Sequence, residues 1–311
     1  MADNDNLIII GNNLVGVRNI NVSKIKIPDY VTNIDDHAFY GCYYLAEVVI
    51  PKSVTRIGNR AFLDCSSLRE LVIPDSVTQI DEYAFCRCAS LSSVVLPNSI
   101  TRIDEGLFKE CSLLTHVVIP NSVVSIEPYA FEECLNLTNI TIPNSVKEIA
   151  TSAFRGCSSL VNINIPNSVT TIGERAFSGC RALTSIEIPQ SVTELGEEVF
   201  ASCVSLTDVS LPNSIKTINQ FTFAGCTSLY RIVIPSSVTN IEKGGFSRCW
   251  SLEDIVIPNS VTNIGESAFQ HCATLASIAL PNSITKIETN LFEHCISLRN
   301  VVIPDSVTSI G

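Results

Sequence analysis

The chain has 311 residues, with 31 acidic and 20 basic side chains, and its formal net charge is −11 at pH 7. This acidity argues against nucleic acid and against anionic membrane surfaces as partners. Apolar residues make up 46% of the chain, which is enough for a continuous core, so the chain is not predicted to be disordered. No apolar run approaches the roughly 18 residues of a membrane span, and residues 1–10 do not match a signal peptide. The compartment is therefore left open.

Residues 1–27 precede a series of regularly spaced prolines. Val22, Ile25 and Ile27 fit the strand positions of the pattern that follows, whereas Gly16 and Asn19 stand where later coils carry phenylalanine and cysteine. A stacked repeat protein needs an atypical, more polar first element. We therefore predict that residues 1–27 form a degenerate N-terminal capping coil.

From residue 28 onward, one pattern recurs every 23 residues. Thirteen prolines follow this spacing, from Pro28 to Pro304. Phenylalanine, cysteine and leucine recur with the same spacing, twelve times each, and begin at Phe39, Cys42 and Leu45. A 23-residue coil is too small to bury its own core, so the coils must stack on one another. Residues 28–311 are thus predicted to be a solenoid of about twelve to thirteen coils, the last one incomplete.

Within each coil, the residues before the proline alternate between apolar and variable positions, as at residues 183–188. Period two with β-branched residues predicts a strand, and the proline ends it because it has no N–H to donate. A short second extended piece follows, as at residues 169–173. The segment around the phenylalanine and cysteine is predicted to return as a helical turn or an irregular segment, with both side chains pointing inward.

The coil pattern L-x-x-I-x-I-P-x-S-V-x-x-I-x-x-x-A-F-x-x-C resembles the BspA-like class of leucine-rich repeats over roughly residues 20 to 311. The resemblance implies a right-handed coil with a parallel β-sheet on the concave face and short strands and helical turns on the convex side. It also implies a protein found on bacterial surfaces or in mucosal parasites, and a role in adhesion. The expected partner is accordingly a protein ligand or a host-matrix protein, at the cell surface or secreted.

The spacing of the cysteines indicates that they pack in the core rather than form disulfides or bind metal. Twelve of the thirteen occupy one column of the repeat, where parallel side chains suit neither disulfide geometry nor the paired spacing of a zinc site. We expect buried, reduced thiols there. Cys86 lies outside that column, at a position that elsewhere holds Lys109, Glu132 and Arg155. It is therefore predicted to be an exposed free thiol.

No catalytic, metal or cofactor site is predicted. His271 and His294 share a column and could form a metal-binding pair, but they also simply occupy the variable position before a core cysteine. No nucleophile or phosphate-loop motif is present, so the chain is not expected to be an enzyme. A threonine column, interrupted at three coils, leaves ice binding as a further alternative.

Binding is expected in the variable positions of the main strand. Val49, Val72, Val95 and Val118 form an apolar strip there, which reflects either β-propensity or a docking surface. Other candidate ligand-binding residues occupy the outward strand positions of further coils: His116, Glu187, Asp208, Arg231 and Asp254.

Two functions fit this pattern. The first is an adhesin-like protein-binding module whose ligand lies on the concave face. The second is a structural or self-assembling solenoid that associates through its open C-terminal edge. The sequence stops at Gly311, within a coil and without a polar cap, so we expect either that the natural chain continues or that this edge stacks on another chain.

Overall fold

The computed structural model describes residues 3–311 and divides into two compact halves, residues 3–159 and residues 160–311. From residue 24 onward, each half is built from short parallel strands that alternate between two lengths along the chain. The segment before each proline forms a three-residue strand, and the second extended piece after the proline forms a two-residue strand. The repeat solenoid predicted from the sequence is therefore confirmed.

The N-terminal half contains one short 3-10 helix and fourteen strands. In chain order these are the helix Asp3–Asn6, then β1 Leu7–Ile10, β2 Asn13–Val17, β3 Lys24–Lys26, β4 Asn33–Ile34, β5 Glu47–Val49, β6 Arg56–Ile57, β7 Glu70–Val72, β8 Gln79–Ile80, β9 Ser93–Val95, β10 Arg102–Ile103, β11 His116–Val118, β12 Ser125–Ile126, β13 Asn139–Thr141 and β14 Glu148–Ile149.

The C-terminal half contains fourteen further strands and, among its residues, no helix. They are β15 Asn162–Asn164, β16 Thr171–Ile172, β17 Ser185–Glu187, β18 Glu194–Leu195, β19 Asp208–Ser210, β20 Thr217–Ile218, β21 Arg231–Val233, β22 Asn240–Ile241, β23 Asp254–Val256, β24 Asn263–Ile264, β25 Ser277–Ala279, β26 Lys286–Ile287, β27 Asn300–Val302 and β28 Ser309–Ile310.

A strand of one coil pairs with the equivalent strand of the next coil. In the N-terminal half, β3, β5, β7, β9 and β11 form one parallel sheet, in which Ser93 lies beside His116 and Val95 beside Val118. The two-residue strands form separate sheets, for example β4 with β6 and β8. The C-terminal half repeats the pattern, with β21 beside β23 and β22 beside β24.

Of the two alternatives predicted for the return segment, a helical turn or an irregular segment, the structure shows the irregular one. Two residues of every coil have a positive φ there, at the position two before the phenylalanine and the position before the cysteine, as for Arg60 (52°) and Asp64 (64°). A left-handed residue prevents a right-handed helix from continuing, and each return segment has two of them. Instead, alternate backbone N–H groups donate to the next coil, as from Phe39 N to Ala61 O at 2.7 Å and from Gly41 N to Leu63 O at 2.9 Å.

The core consists of identical side chains stacked on one another. The phenylalanine rings from Phe39 to Phe269 are fully buried, and neighbouring rings stack with centroids 4.8 Å apart at Phe39–Phe62 and 5.6 Å apart at Phe108–Phe131. Burying each such ring removes a large apolar surface from water, so these columns hold successive coils together.

Residues 7–17 form an antiparallel hairpin of β1 and β2, in which Leu7 lies opposite Val17. The sequence was expected to form a degenerate coil here. The hairpin still continues the stack, because β2 pairs in parallel with β4 through Leu14 and Ile34. In residues 3–311, no helix has the length and apolar character needed to cross a membrane.

Candidate functional site

The outer surface of the three-residue strands is the candidate site, and we call it the strand face. In nearly every such strand the first and third side chains are exposed and the second is buried, because successive side chains of a strand point to opposite sides. Variable side chains of consecutive coils therefore lie side by side, about 4.8 Å apart.

The third positions of β5, β7, β9 and β11 form the valine strip: Val49, Val72, Val95 and Val118. All four side chains are exposed, and the exposed fraction reaches 80% for Val72 and 63% for Val95. The prediction that this column faces solvent is confirmed. That it binds a ligand stays a prediction.

A shallow depression of 730 Å³ lies on the valine strip. Val72 and Val95 contribute to its apolar lining, and Lys52, Glu70 and Asp75 contribute charged groups. An apolar surface with a few charged groups around it is the usual composition of a protein-binding patch.

The first positions of the same strands carry polar side chains. Lys24 Nζ lies 2.8 Å from Glu47 Oε2, so this carboxylate has an ion-pair partner on the neighbouring strand. His116 lies at the first position of β11, beside Ser93 of β9. The predicted residue His116 thus belongs to the same sheet as the valine strip.

On the strand face of the C-terminal half, the structure brings three of the predicted residues together. Asp208, Arg231 and Asp254 hold the first positions of β19, β21 and β23, and all three line a depression of 510 Å³. Glu187 lies outside this depression, at the third position of β17 beside Ser210.

The candidate site residues predicted from the sequence do not include the apolar part of this second surface. Val233 and Val256 pair in register, line the same depression and are 82% and 73% exposed. They occupy the same column of the repeat as the valine strip, which is the signal that identifies them. We give the name Arg231 surface to a set of six residues: Asp208, Tyr230, Arg231, Val233, Asp254 and Val256.

The prediction of an exposed thiol at Cys86 is wrong. Cys86 is only 4% exposed, and its burial raises the pKa of its thiol to about 11. The charged residues that share its column had indicated a solvent-facing position. In the structure the column is covered in some coils and exposed in others: Glu132 is buried and forms ion pairs with Lys109 and Arg155 of the neighbouring coils, whereas Arg155 itself is exposed.

The cysteines of the repeat column are free thiols and are buried, as expected. Their Sγ atoms donate hydrogen bonds to phenylalanine carbonyl oxygens of the preceding coil, for example Cys111 to Phe85 O at 3.1 Å and Cys203 to Phe177 O at 3.2 Å. Burial raises the pKa of the Cys203 thiol to about 12. Burial thus favours the neutral form of the Cys203 thiol, which serves packing.

His271 and His294 lie together, with ring centroids 4.5 Å apart and planes inclined by 15°. Among residues 3–311, no group of three or more histidine, cysteine, aspartate or glutamate side chains is placed to hold a metal ion. Parallel stacked rings direct their nitrogen lone pairs side by side rather than toward one point, so the pair as it stands is not a chelating geometry.

The threonine column uses its hydroxyl groups within the protein. Thr55 Oγ1 donates to Thr32 O at 3.3 Å, and Thr239 Oγ1 donates to Lys216 O at 3.2 Å. An ice-ordering surface would present these donors to water. The observed hydrogen bonds therefore favour a structural role for this column.

The chain is similar to known repeat proteins over nearly its whole length. A family model described as the BspA type leucine rich repeat region matches residues 9–136, 124–249 and 193–311. A leucine-rich repeat protein from Bacteroides ovatus is 33% identical, with a TM-score of 0.87 over 93% of this chain and 75% of that chain. No curated protein matches the chain significantly.

Two further solved structures show the same likeness. A leucine rich cell surface protein from Faecalibacterium prausnitzii is 32% identical, with a TM-score of 0.59 over 90% of this chain and 79% of that chain. A leucine-rich repeat protein from Eubacterium ventriosum is 26% identical, with a TM-score of 0.65 over 91% of this chain and 88% of that chain.

Proposed function

Because the chain belongs to the BspA-type leucine-rich repeat family, we propose that it is a non-catalytic, adhesin-like protein-binding module whose ligand lies on the strand face. The matched family and structures are repeat proteins, and they indicate no catalytic family. The Faecalibacterium prausnitzii relative is described as a cell surface protein, which supports a place at the cell surface for this chain. The ligand that we propose is a protein, such as a host-matrix protein.

The valine strip is the observation that carries the proposal. Val72 and Val95 are neighbours in register and are both more than half exposed. An isolated exposed valine on a strand needs no explanation beyond β-propensity. A continuous row of exposed apolar side chains that also lines a depression favours an interaction site.

The distribution of side chains along the repeat supports the same conclusion. Buried positions are nearly identical from coil to coil, whereas exposed positions of the three-residue strands change from valine to threonine, asparagine and glutamate. Structural columns need uniform residues because each coil packs on its neighbour. Side chains that vary on a rigid sheet are free to be selected for a ligand.

Two sets of purified probes test the proposal: a displayed library of random twelve-residue peptides and a panel of purified extracellular-matrix proteins. Binders of the wild-type chain are measured again with the double variant Val72→Asp/Val95→Asp. Both valines are exposed, so the fold should tolerate the change. We expect a loss of binding of about tenfold or more, since apolar contacts are replaced by two charges.

The matched control is Thr101→Asp/Val124→Asp, which adds the same two charges at exposed positions beside the two-residue strands. It should bind like the wild type. Equal binding by both double variants and the wild type would refute a site on the valine strip. Sedimentation velocity on the same samples measures self-association, the alternative that the sequence raised.

A further inference from the structure

We infer that the Arg231 surface is an anionic and apolar recognition site for a protein segment that carries basic side chains beside apolar ones. This inference rests on the proposed function, because it gives the strand face of the C-terminal half a ligand of defined chemistry. It follows from the register of three strands, from the position of one guanidinium group and from two exposed aromatic rings.

The register places charge beside apolar surface. Arg231 lies beside Asp254, and Val233 lies beside Val256. Asp208 holds the corresponding first position of β19, which lies next to β21. The two carboxylates are therefore about 10 Å apart, two strand spacings. The valines form a second row, two residues further along the strands, and both rows line one depression.

The single cation of this surface does not neutralise the two carboxylates. Arg231 Cζ lies over the Tyr230 ring, 5.3 Å from its centroid. In the part of the chain that the structure describes, Arg231 forms an ion pair with neither Asp208 nor Asp254, and neither carboxylate has another ion-pair partner. On the strand face of the N-terminal half, Glu47 is paired with Lys24, whereas Glu70 forms no ion pair with any residue that the structure describes.

Exposed aromatic rings lie on the same coils; Tyr230 already contacts the Arg231 guanidinium, and Trp250 contacts no cation among the residues that the structure describes. Tyr230 directly precedes Arg231, and Trp250 lies four residues before Asp254; both side chains are exposed. The faces of tyrosine and tryptophan rings attract ammonium and guanidinium groups. Tryptophan and tyrosine are also enriched among the side chains that dominate binding energy at protein interfaces.

These features together define the partner. Its basic side chains would pair with Asp208 and Asp254, and its apolar side chains would cover Val233 and Val256. An acidic segment would meet two unpaired carboxylates and one arginine, which is a net repulsion. The net charge of −11 acts in the same direction at longer range, because it speeds the approach of a cationic partner.

The test uses three fluorescent dodecapeptides, each with four repeats of a tripeptide. The first repeats Lys-Leu-Gly, the second replaces lysine by glutamate, and the third replaces leucine by serine. We expect the lysine–leucine peptide to bind the wild-type chain at least tenfold more tightly than either of the others at low salt. Its affinity should fall as salt is raised, because salt screens exposed charges.

Four variants of the full chain locate the interaction. Asp208→Asn/Asp254→Asn and Val233→Ser/Val256→Ser should each weaken binding of the lysine–leucine peptide about tenfold. Arg231→Gln should strengthen it about two- to fivefold, since it removes the one repulsive charge. The control Glu194→Gln/Glu197→Gln removes two exposed carboxylates outside the strand face and should stay within about twofold of the wild type.

The outcomes separate this inference from the proposed function. Equal affinity for the lysine and glutamate peptides, no detectable binding of any peptide, or weaker binding by Arg231→Gln would overturn the inference. If the valine variant weakens binding and the carboxylate variant does not, the inference fails while strand-face binding stands. If the lysine–leucine peptide binds and none of the four variants changes its affinity, the site lies elsewhere and the inference fails.

Discussion

Lys109 Nζ lies 2.5 Å from Glu132 Oε2, although the two residues are 23 positions apart in the chain. Arg155, a further 23 positions on, pairs with Oε1 of the same carboxylate. Glu132 is only 3% exposed, so three consecutive coils are joined through one covered charge. Opposite charges at the same position of neighbouring coils attract only in the native register.

We expect Glu132→Gln to lower the free energy of unfolding by about 2–4 kcal/mol, because two cations would then lie close together without the carboxylate between them. Glu148→Gln, at an exposed position of β14, is the matched control and should change it by less than about 0.5 kcal/mol. Urea unfolding at neutral pH measures both. Equal effects of the two substitutions would show that the buried ion pairs do not stabilise the stacking of the coils.

The left-handed position before the cysteine allows a paired test in consecutive coils. Ser202 has φ 61° and Gly225 has φ 74°. Ser202→Gly should stabilise the protein by about 0.5–1 kcal/mol, and Gly225→Ala should destabilise it by about 1–2 kcal/mol. A Cβ on Gly225 would meet its nearest neighbour at 3.5 Å, which is ordinary contact, so the cost is conformational.

The two substitutions should have opposite signs in the same urea-unfolding experiment. If both were destabilising, side-chain contacts of Ser202 would outweigh its backbone strain, and the conformational explanation would be wrong.

Alkaline pH should destabilise the chain through its buried thiols. Burial raises the pKa of Cys203 from 9.0 to about 12. A thiol whose pKa is higher in the folded chain than in the unfolded chain contributes to the free energy of unfolding. This contribution is fully present below about pH 9. It is lost as pH rises toward 12, because only the unfolded chain releases the proton. Each such thiol contributes a slope of up to about 1.4 kcal/mol per pH unit in that range.

Cys203→Ala removes one such contribution. Between pH 9 and pH 10.5 it should lose about 1–2 kcal/mol less stability than the wild type, measured by urea unfolding with a reductant present. Its lower stability at neutral pH, from the lost packing, does not affect this comparison of slopes. Identical slopes for the two proteins would contradict a neutral, buried Cys203.

Burial also predicts the reactivity of Cys86. Its thiol is 4% exposed and its pKa is raised to about 11, so a thiolate-specific reagent should label the native chain slowly at pH 8. Labelling should accelerate in the urea range in which the chain unfolds. Cys86→Ser should leave the native labelling rate unchanged. A large drop in that rate would show that Cys86 is an exposed thiol, as the sequence indicated.

The strands and core columns were predictable because the repeat displays them twelve times or more, and the alternation of apolar residues identifies the buried faces. The return segment was not, since its left-handed positions hold residues as different as Arg60, Tyr129 and Glu198 as well as glycine. Hydrogen bonds to the next coil, which a single coil does not reveal, compensate the strain of these residues.

The candidate site was predictable in part. Exposure of the valine strip follows from strand alternation, and so does the neighbourhood of Asp208, Arg231 and Asp254. The sequence misplaces Cys86 because a variable column of a repeat is usually exposed. The alternation of lysine, glutamate and arginine in that column was already visible in the sequence, and it indicated side chains that neutralise one another rather than a solvated surface.

The backbone hydrogen bonds by which the return segment binds the next coil point in one direction along the stack, from Phe39 to Ala61 and from Phe62 to Ala84. Each coil thus donates hydrogen bonds to the next coil in the same way that the preceding coil donates to it. An excision of 23 residues, such as 63–85, would join two coils whose donors and acceptors still match. An excision of 22 residues would place every following side chain in the wrong column. The length of such a protein is therefore free to change in evolution, but only by whole coils.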